Sequence, residues 1–121
     1  MVLVASYLTP ETSKYRFPAI FSLIEFILKN FTGYRVHLLG DLNARCGTPI
    51  IKGLSYTTNP DKIMNTYGKK LVELCKSSNM TLINGLIRGS KLFDSNFTFF
   101  HGQRAKSQND WCVTNAVDDV A

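Results

Sequence analysis

The chain has 121 residues and a mass of 13.6 kDa, with 45% apolar and 19% charged residues, which excludes a fibre or a disordered tail. A folded chain of this length buries roughly 65–70% of its extended surface, enough for one core over residues 1–121 and too little for two. Fourteen Lys plus Arg against nine Asp plus Glu leave +5, dispersed among hydrophobic segments, a balance that permits a polyanionic partner without demanding one.

In chain order, residues 2–8 form an apolar, partly β-branched run stopped by Thr9-Pro10, which predicts a buried strand. Residues 18–28 place Ile20, Leu23, Ile24, Ile27 and Leu28 at helical spacing, predicting an amphipathic helix with Gly33 as its stop. Residues 34–39 predict a second buried strand that ends on Gly40-Asp41-Leu42-Asn43. Residues 43–61 lack clear periodicity and predict a long loop, of the kind that often carries function. A second helix is predicted over 66–77, with Leu71, Leu74 and Cys75 inward and Lys69, Lys70 and Lys76 toward water. Residues 80–85, 96–100 and 110–113 then predict three short strands. The order β-α-β-α-β-β-β predicts a layered α/β arrangement without repeats or low-complexity tracts.

Cys46, Cys75 and Cys112 are odd in number, lie about thirty residues apart and form no Cys-x-x-Cys pair, so free or buried thiols in a reducing, intracellular compartment (cytoplasm or nucleus) are expected. Three Asn-x-Ser/Thr sequons, at Asn30, Asn79 and Asn96, read as chance because residues 1–8 lack a leader's basic flank and long apolar run. No apolar run approaches the ~18 residues that span a bilayer, and no membrane partner is expected.

The sharpest local feature is Gly40-Asp41-Leu42-Asn43. Asp41 and Asn43 stand at i, i+2 past a buried strand, where ligands bind in α/β folds, so a carboxylate and an amide converge on one spot. The carboxylate suits a water proton or a hard cation, and the amide suits a phosphate oxygen, a pairing fit for phosphoester hydrolysis. The same four residues also make an ordinary strand-ending turn. Asp110 enters the last apolar strand, as a reactive acid or a solvated strand end, and Tyr7 closes the first, where its phenol reaches the same mouth or merely packs. His37 lies within a buried strand and reads as a core or edge histidine. His101 begins the basic loop His101-Gly102-Gln103-Arg104-Ala105-Lys106, which either contacts phosphates or is a solvated hairpin loop.

Taken together, Val4-Ala5-Ser6-Tyr7-Leu8-Thr9-Pro10, Leu38-Leu39-Gly40-Asp41-Leu42-Asn43-Ala44-Arg45-Cys46-Gly47, Asn96-Phe97-Thr98-Phe99-Phe100 and Ser107-Gln108-Asn109-Asp110-Trp111 resemble the endonuclease/exonuclease/phosphatase superfamily. Within it, the chain is most similar to the apurinic-type endonuclease domain associated with the reverse transcriptase of non-LTR (LINE-type) retrotransposons. The resemblance implies a β-sandwich flanked by helices and a Mg²⁺-dependent hydrolase that attacks a DNA phosphodiester in line with water. It implies that Asp41 orients or deprotonates that water, Asn43 holds the scissile phosphate, Tyr7 hydrogen-bonds the phosphate region and Asp110 orients a catalytic histidine. Thr98, Arg104 and Lys106 would face DNA, and no residue is assigned to the metal.

The resemblance also implies parts that these residues do not supply. The family places an Asn and a metal-ligating Glu before the tyrosine strand and a Ser-Asp-His motif after the second aspartate. Neither His37 nor His101 matches that histidine, and Asn109 and Trp111 replace the usual apolar residue and Tyr around Asp110. The expectation is a single partial domain, 1–121, truncated at both ends, an incomplete layered sandwich holding half of a phosphodiesterase site. Loss of a general acid/base costs about 10²–10⁴-fold, so the chain alone is expected to be inactive. Its uncovered sheet face is expected to drive self-association. The alternatives are a non-catalytic nucleic-acid-binding or structural relic, using Arg88, Lys91, Arg104 and Lys106, and a phosphatase-like site for a phosphoinositide or other small phosphoester.

Overall fold

A computed structural model describes residues 1–10, 12–16, 19–51, 54–55, 60–85, 87–88, 91–92, 99–101 and 104–116. In chain order the elements are β1 (Val2–Tyr7), α1 (Ile20–Asn30), β2 (Val36–Asp41), β3 (Ile50–Ile51), β4 (Leu54–Ser55), α2 (Thr66–Ser77), β5 (Thr81–Leu82), β6 (Ile87–Arg88), β7 (Lys91–Leu92), β8 (Phe99–His101), β9 (Arg104–Ser107) and β10 (Asp110–Thr114). The fold class is α/β. Its centre is a mixed four-stranded sheet in the order β1-β2-β10-β5, with β1 parallel to β2 across the α1 connection and β10 antiparallel to both β2 and β5.

Period-2 alternation divides the sheet into two unlike faces. One face turns Val36 and Leu38 of β2, Trp111 and Val113 of β10 and Leu82 of β5 into a core shared with both helices. Phe21, Ile24 and Leu28 of α1 and Leu71, Leu74 and Cys75 of α2 form the helical side of that core. Phe21 meets Tyr67 edge to face, with ring centroids 5.4 Å apart, and fixes how the two helices lean together. The other face carries Leu3, Ala5 and Tyr7 of β1, registered against His37, Leu39 and Asp41 of β2. Leu3 is 60% exposed there, and Leu39 is also exposed. Toward the opposite end of this face His37 is buried, its Nδ1 lying 2.9 Å from Thr114 Oγ1, the satisfied histidine that the sequence suggested.

Several expectations change in detail. The buried stripe of α1 runs through Phe21 rather than Leu23, which is exposed, because Tyr67 offers Phe21 an aromatic partner. The helix closes at Asn30, and Gly33, at φ +89°, shapes the turn after it. The predicted loop over 43–61 contains the hairpin β3–β4 and a bridge between Cys46 and Met64. Strands of two residues are too short to show alternation, which is why the sequence concealed them. The basic stretch over 101–106 is mostly strand: Arg104 and Lys106 lie on β9, paired antiparallel with β8. Of the predicted strand over 96–100, Phe99 and Phe100 belong to β8, and Thr98 lies outside the described residues. Among the described residues no helix is long and apolar enough to cross a membrane.

Gly40 sets the closeness of the two parallel strands. It lies opposite Ser6 at φ +145°, and a Cβ there would stand 1.8 Å from the Ser6 carbonyl oxygen. Gly40→Ala is therefore expected to prise β1 from β2 and lose at least about 3 kcal/mol in urea melts. Gly33→Ala, with φ +89° but nothing within 4 Å of the added Cβ, is expected to lose about 1 kcal/mol. Equal losses would show that backbone conformation, and not strand approach, governs Gly40.

Candidate functional site

Three strands meet in one row at the end of the face turned away from both helices. Tyr7 is registered with Asp41, and Asp41 with Asp110, so the three side chains share one face across β1, β2 and β10. Tyr7 is 67% exposed and Asp110 is exposed, while Asp41 between them is partly buried. Asn43 stands just behind the row. It takes a left-handed conformation (φ 45°) that Asn tolerates better than most residues, and its backbone N–H donates to Asp41 Oδ1 at 3.0 Å.

Hydrogen bonds knit the three segments together behind the row. Leu8 N–H donates to the Asp41 carbonyl at 2.9 Å, and Leu42 N–H donates to the Asn109 carbonyl at 3.0 Å. Asn43 Nδ2 donates to the Leu8 carbonyl, and Asn109 Nδ2 approaches Asn43 Oδ1 at 3.5 Å, the long limit of such a bond. Asn43 is thus a brace between β1 and the start of β10, with one amide hydrogen committed to Leu8. Burial raises the Asp41 carboxyl above its ordinary value, the Asn43 N–H draws it part of the way back, and the negative charge of Asp110 raises it further.

Below the row lies an ion pair that the sequence did not reveal. Asp61, 2% exposed, receives Arg45 in a fork, Nε to Oδ2 and Nη2 to Oδ1, both at 2.8 Å. The same carboxylate accepts the backbone N–H of Gln108 at 2.9 Å and of Ile63 at 3.2 Å. Burial pushes the Asp61 carboxyl upward, but Arg45 and the two backbone donors outweigh it and hold the group below the usual carboxylate range. Gln108, fully buried, sends Nε2 to the Asp110 carbonyl at 2.8 Å. Asn65 caps α2 by accepting Gly68 N–H at 2.7 Å, and the same oxygen accepts Arg45 N–H at 3.0 Å. Trp111 donates Nε1–H to the Ala44 carbonyl at 2.7 Å from a buried position.

The sequence-predicted residues therefore divide. Tyr7, Asp41 and Asp110 come together, with Asn43 beside them. Arg104 and Lys106 sit on a separate hairpin, and Thr98 lies outside the described residues. Arg45, Asp61, Asn65 and Gln108 were missed; the local hint was a guanidinium two residues past Asn43, but its partner is sixteen residues away. Cys46, Cys75 and Cys112 form no disulfide, and burial pushes the Cys46 thiol well up and the Cys112 thiol up, as for unreactive packing thiols. Among the described residues no group of three His, Cys, Asp or Glu side chains could hold a metal ion.

Comparison with protein-family models, with curated proteins and with solved structures finds no match to this chain.

Asp61 and Asp41 should respond oppositely to pH. The depressed Asp61 carboxyl stabilises the fold fully above its ordinary value of 3.8, and that contribution is lost as pH falls through its lower folded value. The raised Asp41 carboxyl favours the fold when protonated, and this contribution is lost as pH rises from 3.8 through its higher folded value. At pH 7, Asp61→Asn is expected to cost about 3 kcal/mol, the low end for a broken buried pair because Arg45 keeps 26% of its side chain exposed. Asp41→Asn is expected to leave stability unchanged or raised, within about 1 kcal/mol. Urea melts of both variants at pH 4 and pH 7 check the two signs.

Proposed function

We propose that Tyr7, Asp41, Asn43 and Asp110 form half of a phosphodiester-hydrolysing site of the endonuclease/exonuclease/phosphatase type, of the kind carried by non-LTR retrotransposons and directed at DNA. The observation that carries this reading is the single row of Tyr7, Asp41 and Asp110, built from three segments far apart in the chain. In this reading the raised Asp41 carboxyl accepts a proton from the attacking water, which a carboxyl with an ordinary value does less readily. The Tyr7 hydroxyl and the second amide hydrogen of Asn43 donate to phosphate oxygens. Gln108 fixes the backbone that carries Asp110.

Asp41 and Asp110 supply two carboxylates, as many as Mg²⁺ usually takes from a protein where water and phosphate oxygens fill its other positions, so these two would hold the ion; the described residues offer no third His, Cys, Asp or Glu beside them. The glutamate and histidine of the family also have no counterpart in the motifs of this chain. We infer that these 121 residues bind DNA without cutting it. The exposed Leu3 and Leu39, on the face turned away from the helices, fit self-association with a second copy of this chain as the partner.

One observation favours the alternative of a purely nucleic-acid-binding relic: Arg88 and Lys91 occupy one register position of the β6–β7 hairpin, a strand pair separate from the sheet that carries the acid row.

The test is DNA binding by fluorescence anisotropy alongside plasmid nicking with Mg²⁺. Salt-sensitive binding is expected, without nicking, and Tyr7→Phe is expected to weaken binding about tenfold, the loss of one hydrogen bond to a charged group. Tyr7 is exposed, so the variant keeps the fold. Binding that ignores Tyr7→Phe and Asp41→Ala favours the relic. Nicking abolished by Asp41→Ala would overturn inactivity and support the family, and an absence of DNA binding would overturn the reading altogether.

A further inference from the structure

Next to the acid row lies a cavity of about 160 Å³, lined by Tyr7, Leu8, Thr9, Tyr15, Ile20 and Tyr67. We propose that this cavity takes one nucleobase of a DNA strand whose phosphate sits against Tyr7, Asp41 and Asn43. The inference rests on the functional reading above and adds to it a subsite for the base.

Size and lining come first. The space is too small for a drug-sized ligand and comparable to a single heterocyclic base. Three of its six walls are tyrosines, and a π-face is what every base can stack on regardless of sequence. Two of those rings stand out from the protein: Tyr7 is 67% and Tyr15 71% exposed, so they present aromatic surface outward rather than filling the core. Tyr67 is buried at the base, held edge-on by Phe21.

Charge and position come second. Lys14 holds its ammonium 4.9 Å from the centroid of the Tyr15 ring, so a cation accompanies this wall. The Thr9 hydroxyl donates to the Tyr15 carbonyl at 3.1 Å and pins the turn that carries the ring. Leu8, another wall, offers its carbonyl to Asn43 Nδ2. Tyr7 is both a cavity wall and a member of the acid row. The base subsite and the phosphate position are therefore neighbours through shared residues, as the base and phosphate of one nucleotide are through a single sugar.

The experiment compares two labelled strands of equal length and charge, one of thymidine and one of abasic sugar-phosphate, by anisotropy with the full 121-residue chain. The expected preference for the base-bearing strand is about tenfold, in the range of one base stacked on aromatic side chains. Tyr15→Ala is expected to remove that preference while leaving abasic-strand binding unchanged, and Tyr15→Phe is expected to keep it. Ile20→Trp, which fills the cavity from another wall, should also remove it. Equal binding of both strands by the unsubstituted chain, or an equal loss on both strands in Tyr15→Ala, overturns the base subsite and leaves the DNA reading standing. Failure of both strands to bind overturns both.

Discussion

The buried pair of Arg45 and Asp61 is the constraint on which the rest of the site depends. A carboxylate removed from water is costly unless its oxygens are filled, and here both are: two guanidinium donors and two backbone N–H groups converge on Asp61. Each donor comes from a different stretch of chain. Arg45 continues the turn that holds Asn43, Gln108 precedes the strand that starts with Asp110, and Ile63 leads into the α2 cap. One buried charge thus ties together three segments, two of which the β2–β10 register also joins. That register sets Asp41 and Asp110 side by side, and the pair of Arg45 and Asp61 holds the chain on either side of it.

A second constraint is the asymmetry of the sheet. Both helices pack on one face, and Val36, Leu38, Trp111 and Val113 are buried there. On the other face the apolar row of Ala5, Leu39 and Cys112 lies between the buried His37 and Thr114 and the polar row of Tyr7, Asp41 and Asp110. Asp41 sits at the boundary between these environments, which is why burial raises its carboxyl while Tyr7 and Asp110 beside it remain in solvent. A group held in a protonation equilibrium that the fold does not favour at neutral pH is a small stability cost concentrated at one position, a pattern more often associated with sites than with packing.

How much of this was legible in the sequence depended on the range of each interaction. β1, β2 and both helices were legible because six to twelve residues give a period long enough to read. In the helical stripe of α1, Ile24 and Leu28 were read as they stand, and Phe21 was missed in favour of Leu23 because the partner that selects Phe21 is Tyr67, a tertiary contact. The hairpin β3–β4 escaped because two residues carry no period. Tyr7, Asp41 and Asp110 could be singled out, since each ends or begins an apolar run, and the sheet register supplies the row they share. The Arg45–Asp61 pair could not, because nothing local in residues 43–61 matches a guanidinium to a carboxylate sixteen positions later.

The charge distribution finally bears on why a site so placed would be silent alone. The chain carries +5, yet the row itself holds two carboxylates on neighbouring strands, and Lys14, the cation that lies over the Tyr15 ring of the adjoining cavity, belongs to the turn after β1. A phosphodiester brought to Tyr7 and Asn43 meets repulsion from both acids, about 1 kcal/mol per charge pair at 4 Å in water and about 4 kcal/mol at the effective dielectric of a protein surface. One phenol and one amide hydrogen offset only part of that, each neutral donor being weaker than a charged one. The raised Asp41 carboxyl eases the conflict when it holds a proton, but a protonated acid cannot take one from water. Under the hydrolytic reading, attack and binding therefore make opposite demands on the same residue. Under that reading the conflict is resolved where positive charge joins the row, which Tyr7, Asp41, Asn43 and Asp110 do not themselves supply.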